Sequence, residues 1–475
     1  MDREARRRAP GGRTEQVERA HPPPDETCFV GWGKGTPGPA LPRSGQVLGE
    51  ESTFQVAAAS NPSRRHPPDL RGDSPLQAAA PANPGRRHPP GRSPAVLILF
   101  SDTGGGHRAA ARALDEALRT VEPEIEIAWA DPLIGQGSAI ARRISSLYPT
   151  IIKRSPPTWG AIFHASNTAP SFAAVVAALR SQLVGVLQQQ LRLADPDVVI
   201  SVHPLLNHVT AAVLQRESRA RGLMTVVTDL IDVHRGWLCR RADLIVVPTQ
   251  QAYGAALRRR VRSDRLRLFG LPVDLRFRPP MPGEPAVVRR RLGLDAQRST
   301  VLVSGGGEGS GSLWDQVLAL ALEPHPWQVI AVCGRNDRLR DRLLGVQFQT
   351  PTHVLGFVQD MPELLRACDL VVGKAGPGAI AEALATGVPL VLTSYLPGQE
   401  RSNVSYVVES GVGRYTPSPD RLLRAVDELL AGSDSGYPAM ATRALELAHP
   451  DAALHIASAC LALASHYRAT SHASR

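Results

Sequence analysis

Three glycine-rich stretches hold most of the residues with chemical potential in this 475-residue chain, and each follows a short apolar run. The first reads Ser101-Asp-Thr-Gly-Gly-Gly-His107. It fits neither the GxGxxG dinucleotide pattern nor the Walker A pattern, which counts against NAD binding and ATP hydrolysis. Gly104, Gly105 and Gly106 turn the chain and leave His107 at the start of a helix. There the helix dipole disfavours imidazolium, so a neutral imidazole can take a proton from a hydroxyl. A histidine in the first turn of a surface helix has the same spacing. Asp229, closing Thr225-Val-Val-Thr-Asp229, can orient that histidine, act as a base itself or cap the next turn. His203, closing Val198–His203, can line the same cleft or sit satisfied in the core.

The second stretch, Gly305-Gly-Gly-Glu-Gly-Ser-Gly311, offers backbone N–H groups with no side chains to block approach, a cradle for a diphosphate. Its candidate contacts are Gly305, Gly306, Gly307, Gly309 and Ser310; a merely flexible loop has the same composition. The third is Gly373-Lys-Ala-Gly-Pro-Gly-Ala-Ile-Ala-Glu382, followed by Pro397-Gly-Gln-Glu-Arg-Ser-Asn403. Gly376, Pro377 and Gly378 open a helix, and Glu382 interrupts its apolar course, where a carboxylate needs hydroxyl partners such as a ribose diol. Gln399 and Glu400 suit a sugar's hydroxyls, and Asn403 completes the donor-binding set. A metal-dependent transferase needs a carboxylate pair on the diphosphate. The one Asp-x-Asp, Asp195-Pro-Asp197, precedes a strand and reads as a turn. No metal and no other cofactor is expected, the glycine loops and helix dipoles stabilising the leaving-group charge.

Holding these loops in place requires strands. Apolar runs at Ala95–Phe100, Ile125–Ala130, Val198–Val202, Thr225–Thr228 and Leu244–Val247 alternate with helical spacing. After the proline-rich passage Pro272–Pro285 the pattern restarts at Thr300–Val303, Gln328–Val332, His353–Leu355, Leu370–Val372 and Pro389–Leu392. The alternation predicts an α/β chain of two Rossmann-like domains facing across a cleft. Its divisions are a tail at 1–92, a first domain at 93–275, a linker at 276–286, a second domain at 287–450 and a closing segment at 451–475 whose helix can cross back to the first domain. The tail holds 15 of the 41 prolines and 11 of the 41 glycines and almost no aliphatic periodicity, so it is expected to be disordered.

Net charge is +10 and there are only three lysines, so the basicity is arginine. Aromatics at 5 % leave little for a stacking platform, and no specific nucleic-acid partner is expected. Five cysteines without a CxxC pair suggest neither a disulfide framework nor a zinc site. Phe172–Leu191, the most apolar stretch, is cut by Arg180 and Gln182, and no transmembrane helix is expected. The oligomeric state is not legible.

The motifs SDTGGGHRA (Ser101–Ala109), SVHPLLNH (Ser201–His208), VVTDL (Val226–Leu230), GGGEG (Gly305–Gly309) and KAGPGAIAEA…PGQE…N together resemble monogalactosyldiacylglycerol synthases, from about Ala95 to Tyr415. The KAGPG form is closer to that group than to the bacterial processive diacylglycerol glucosyltransferases. More distantly the chain resembles the lipid-linked N-acetylglucosaminyltransferase of peptidoglycan synthesis. The resemblance implies a GT-B fold of glycosyltransferase family 28. It implies inverting transfer of a hexose, galactose favoured over glucose, from a UDP-sugar to the 3-hydroxyl of diacylglycerol, giving a β-glycoside. His107 falls on the base, Gly305 to Ser310 on the diphosphate and Gly356-Phe357-Val358 on the uracil; Glu382 falls on the ribose, and Gln399 with Glu400 on the sugar. The chain departs from the plant pattern in its tail and in Leu230-Ile-Asp-Val-His-Arg235, on the acceptor side.

A lipid acceptor demands access to a membrane surface carrying anionic lipid. Ser138–Phe172 interleaves Tyr148, Trp159, Ile162 and Phe163 with Arg142, Arg143, Lys153 and Arg154, a composition that can enter an interface or simply cover a sheet. Peripheral attachment at the cytoplasmic face of the cell membrane is the location expected. The other readings are transfer from UDP-glucose or to another lipid, a UDP-sugar 2-epimerase on the same fold, and a catalytically silent nucleotide-sugar-binding protein.

Overall fold

The computed structural model describes residues 92–102, 105–134, 155–307, 309, 312–432 and 436–473. Gly104, Tyr148, Ser310 and the tail up to residue 91 lie outside them.

The first sheet contains β1 (Ala95–Leu99), β2 (Glu126–Ala130), β3 (Val198–Ser201), β4 (Gly222–Val226), β5 (Leu244–Val247) and β6 (Leu266–Leu268), all parallel, in the order β2-β1-β3-β4-β5-β6. β1 shows why an unbroken apolar run makes a central strand. Alternate residues leave by opposite faces. Leu97 and Leu99 enter one core and Val96, Ile98 and Phe100 the other. The first core is closed by α3 (Ala169–Ala194), α4 (Asn207–Leu214) and α5 (Gln250–Arg258), the second by α1 (Gly106–Val121) and the last helix of the chain. A further helix, α2 (Pro156–Ser166), precedes α3.

The second sheet contains β7 (Thr300–Ser304), β8 (Gln328–Val332), β9 (Thr352–Leu355), β10 (Leu370–Lys374), β11 (Leu390–Ser394) and β12 (Gly413–Tyr415) in the parallel order β12-β11-β10-β7-β8-β9. One face is covered by α7 (Leu313–Ala321), α8 (Asp337–Leu344) and α12 (Pro419–Leu430). The other lies under α9 (Met361–Ala367), α10 (Pro377–Thr386), α11 (Arg401–Glu409) and α13 (Tyr437–Leu447). Helix α6 (Glu284–Arg291) leads into β7.

In each sheet the direction of winding reverses once, between β1 and β3 and between β7 and β10. The loops after those strands part from one another, and the crevice between them is where open α/β sheets take ligands. Ser101, Asp102, Gly105–His107 and His203 flank the first reversal; Gly305–Gly307, Gly309 and Gly376–Gly378 flank the second.

The structure differs from the sequence reading in four places. β6 and β12 are three residues long and left no apolar run to read. β4 begins at Gly222 and stops at Val226, so Thr228 and Asp229 stand on the loop beyond it. Residues 276–286 are not a free spacer, because Phe277, with Leu271 and Val273 before it, packs into the second domain's core and α6 starts at Glu284. Phe172–Leu191 lies inside a 26-residue helix that is long and apolar enough to cross a membrane by length and composition, as is Tyr437–Thr470. Leu183, Leu187 and Leu191 bind the second half of α3 to the first sheet, so this helix is fixed to the domain.

The final helix, α14 (Ala452–Ala473), returns to the first domain, placing Ala453, Ile456, Ala457, Cys460 and Ala464 in the core shared with α1. Gly222 makes room for it, since a Cβ there would lie 2.8 Å from Leu463, and the Tyr467 hydroxyl donates to Asp243 Oδ1 at 3.0 Å. Ile456→Ala should therefore cost about 2–5 kcal/mol, the range for a buried aliphatic truncation. Amide exchange followed by mass spectrometry should speed up in β1 and β3 and not in β7 and β8; acceleration confined to the second domain would contradict this packing.

Candidate active site

The turn after β1 passes through Gly105, at φ 85°, which a side chain would strain, and delivers His107 as the second residue of α1. His107 Nδ1 meets Thr228 Oγ1 at 3.1 Å, and its ring packs edge-on against His203, with centroids 4.7 Å apart. Loss of water lowers the His107 pKa to about 4, a backbone hydrogen bond with Val202 acting the other way, so the imidazole is neutral at pH 7. His203 is 4 % exposed and held well below the ordinary histidine range by burial and then by its neighbour His107.

Asp229 is buried on the same loop. Its Oδ2 accepts from Trp237 Nε1 at 2.7 Å and its Oδ1 from Gln399 Nε2 at 3.0 Å. Burial raises its pKa to about 6 against those hydrogen bonds. The expected pairing of Asp229 with His107 is not made; Thr228 takes that place, and Trp237, 5.9 Å from the imidazole centroid to centroid, stands between the two.

On the second domain, Gly306 and Gly309 carry positive φ of 69° and 55°. Gly309 admits no other residue, since a Cβ would run into the Cys333 carbonyl oxygen. Around Gly306 the space is open. The Arg335 N–H donates to the Gly307 carbonyl at 2.9 Å, and the Arg335 guanidinium lies 4.6 Å from the centre of the Phe357 ring, which is 52 % exposed. Gly356 is close to Arg340, and Val358 turns into the core.

Gly376 is the N-cap of α10, with Pro377 and Gly378 in its first turn. One turn on, the Glu382 carbonyl accepts from Thr386 Oγ1 at 3.0 Å, while its carboxyl group has no hydrogen-bond partner among the described residues. Burial, and next the charge of Asp274 from the first-domain side, raise its pKa to about 8. Glu400 is 4 % exposed; its Oε1 pairs with Lys374 Nζ at 2.5 Å and its Oε2 accepts the Leu396 N–H at 2.8 Å. Asn403 is wholly buried and donates to the Ala375 carbonyl at 2.9 Å, bracing that loop. Gln399 Nε2 is spent on Asp229, and both Gln399 Oε1 and Asn403 Oδ1 are buried without a partner among the described residues.

The loop carrying Gln399 also docks on α2. A Cβ on Gly160 would lie 3.1 Å from Pro397 Cβ, and one on Gly398 would lie 3.1 Å from Gly160 Cα. Trp159 is half-buried on this helix, its ring 6.5 Å from Phe163. Far from here, at the amino end of β3, Asp195 is bound by Arg219 and Arg221, while Asp197 takes Arg219 and the Ala95 N–H.

Thr228, Trp237, Arg335 and Lys374 belong to this constellation without having been singled out. Lys374 alone left a signal, as one of three lysines in the chain, set at the end of an apolar run. The others depend on loop conformation.

Residues 107–273 match the family described as Monogalactosyldiacylglycerol (MGDG) synthase, and residues 300–456 the Glycosyltransferase family 28 C-terminal domain. Monogalactosyldiacylglycerol synthase 3 of Arabidopsis thaliana is 33 % identical over 382 residues, covering 77 % of this chain and 80 % of that protein. Monogalactosyldiacylglycerol synthase of Spinacia oleracea is 32 % identical over 380 residues, covering 76 % and 71 %. Among solved structures, MurG of Acinetobacter baumannii superposes with a TM-score of 0.52 at 15 % identity over 78 % of this chain and 99 % of that one. The calicheamicin glycosyltransferase CalG4 gives 0.50 at 16 % over 78 % and 98 %. At such identities these two show the fold alone, the GT-B arrangement. The relatives are chloroplastic by name, which overturns the expected location at the cytoplasmic face of the cell membrane. With two plant synthases aligned over more than two thirds of their length, the chain belongs to the monogalactosyldiacylglycerol synthase family.

Proposed function

We propose that the chain transfers galactose from UDP-galactose to the 3-hydroxyl of diacylglycerol with inversion at the anomeric carbon. The first domain, 93–275, takes the acceptor and the second, 287–450, the donor. The observation that carries this reading is the continuous chain from His107 past Trp237 and Asp229 to Gln399, which sets a neutral base within one ring of the loop that meets the donor sugar. His107 removes the proton of the acceptor hydroxyl; that oxygen bonds to the anomeric carbon as the bond to the diphosphate breaks, and UDP departs. The Gly305–Gly309 amides, the start of α10 and Lys374 surround the place where the leaving charge develops. Arg335 and Phe357 present a cation and a ring edge for the uracil, and Glu382 meets the ribose. Glu400 contributes by aiming Lys374.

This chemistry runs without a metal. The sole Asp-x-Asp supports that reading, because its carboxylates are taken up by Arg219 and Arg221 at the end of the sheet away from the crevice.

Acceptor access comes from peripheral contact with a membrane through α2 and the first half of α3. Ile162, Ala165, Ala173, Ala174, Ala177 and Ala178 are exposed there, and no charged side chain occurs from Ala165 to Leu179. Phe163, expected to enter the interface, is instead buried, as is Phe172; their rings lie 5.1 and 5.6 Å from that of His234. Residues 138–154 lie outside the described residues. The reaction is tested with diacylglycerol vesicles and labelled UDP-galactose or UDP-glucose in parallel. Labelled monogalactosyl lipid is expected, and label from UDP-glucose alone would replace the sugar assignment.

His107→Ala should abolish transfer while UDP affinity stays within a few fold, because the base acts on the acceptor; a large loss of UDP binding would remove that role. Glu382→Ala should weaken UDP binding by about 1–3 kcal/mol, the loss of hydrogen bonds to a charged group. The pH dependence has a definite sign. Two ribose hydroxyls donate to Glu382 and favour its ionised form, whereas the free site holds it protonated up to about pH 8. UDP affinity should therefore fall as pH drops from 9 to 6, with proton release on binding seen by calorimetry in two buffers. Glu382→Gln should flatten that profile, and a flat wild-type profile would sink the assignment.

A further inference from the structure

Between β4 and β5 the loop from Asp229 to Trp237 closes on itself. The Asp229 carboxylate accepts the His234 backbone N–H as well as Trp237 Nε1, and the Trp237 backbone N–H returns to the His234 carbonyl at 3.0 Å. The last closure is made by the His234 side chain, which caps the 3-10 turn Arg235–Trp237 by accepting the Gly236 N–H on Nδ1 at 3.0 Å. Gly236 has no room for a side chain, since a Cβ would lie 2.9 Å from the Pro204 carbonyl oxygen and 3.2 Å from His234 Nδ1. The imidazole is buried against the rings of Phe163 and Phe172, and its Nε2 lies 3.2 Å from Ser166 Oγ at the end of α2.

These bonds fix the proton of the ring. A donor at Gly236 requires a lone pair on Nδ1, so the hydrogen of the neutral ring is on Nε2. Ser166 gives its own hydrogen to the Phe163 carbonyl at 3.1 Å, and its oxygen accepts from Nε2. Burial, then the charges of Arg259, Arg235 and His208, lower the His234 pKa to about 4 against a backbone hydrogen bond with Ser166, which keeps this one form at neutral pH. No hydrogen bond joins His234 to His107 or Gln399 among the described residues. Trp237 is the link, with Nε1 on Asp229 and its ring 5.9 Å from that of His107. We propose that His234 is a positioning residue for the transfer, its Nδ1 lone pair setting the turn that places the Trp237 indole on Asp229 and beside His107. This rests on the roles given above to His107 and Gln399.

Two amides separate the two edges of the ring. At position 234 an asparagine Oδ1 stands close to the place of Nδ1 and accepts an N–H two residues on, as in an Asx turn. A glutamine amide extends instead toward the place of Nε2 and Ser166 and leaves the Gly236 N–H without its acceptor. The test uses the full-length chain labelled with fluorotryptophan, the Trp237 fluorine resonance being assigned by its loss in Trp237→Phe. Transfer is measured from saturating UDP-galactose to diacylglycerol vesicles, and UDP affinity by calorimetry. His234→Gln should lower kcat about tenfold or more, as misplacement near reacting groups does, and should move the Trp237 resonance. His234→Asn should restore the resonance to its wild-type position and most of kcat, with UDP affinity unchanged in both variants. Equal loss in the two variants would mean that the imidazole only fills space and overturns the proposal, as does wild-type kcat and resonance in His234→Gln. If His234→Gln does not fold, His234→Asn decides, sustaining the proposal with a wild-type resonance and ending it with a displaced one. If the wild type transfers no galactose, the reading of the reaction fails, and the resonances still decide whether His234 places Trp237.

Discussion

Exclusion of water where the carboxyl ends of the two sheets meet governs the chemistry of this protein. One cause, burial, holds His107 neutral with a pKa near 4, raises Asp229 to about 6 and raises Glu382 to about 8. Each of these shifts disfavours a charge. At neutral pH Glu382 is therefore protonated, whereas Asp229 is ionised and held by Trp237 and Gln399, and the cations beside the glycine loops are Lys374 and Arg335. The amides of the glycine loop and the start of α10 act more strongly there than they would in water.

That exclusion rests on how the domains are joined. The chain crosses twice, and both crossings are packed. Leu271, Val273 and Phe277 enter the second core on the way out, and α14 enters the first core on the way back. At the mouth of the crevice, Gly160 and Gly398 approach closely enough that neither tolerates a side chain without displacement of its neighbours. Gly270, at φ 101°, lets the outgoing crossing turn against His449, where a Cβ would run into the His449 Cβ.

How much of this was legible depended on whether the signal was local. Apolar runs fully buried between two helical layers have a distinctive composition, so Leu244–Val247 and Gln328–Val332 were read with their observed bounds. Glycine loops following such runs marked both winding reversals, and His107 and Glu382 stood out as polar residues on helices opened by those loops. Pairings made by loop conformation left no such trace. Asp229 was visible, but whether it turned to His107 or to Trp237 depends on the backbone beyond β4. Glu400 and Asn403 have the residue types of ligands, and only the folded loop shows that they bond Lys374, the Leu396 N–H and the Ala375 carbonyl.

Gln399 shows why the domain junction and the donor pocket cannot be considered apart. Its amide nitrogen holds Asp229 across the cleft, which commits the side chain to one orientation and leaves Oε1 buried without a partner among the described residues. An unsatisfied buried acceptor costs about 1–3 kcal/mol. A ligand hydroxyl that donates to Oε1 removes that cost without disturbing the hydrogen bond to Asp229. The two domains are thus joined through a single amide group, and the geometry of Trp237 beside His107 is held by the same carboxylate.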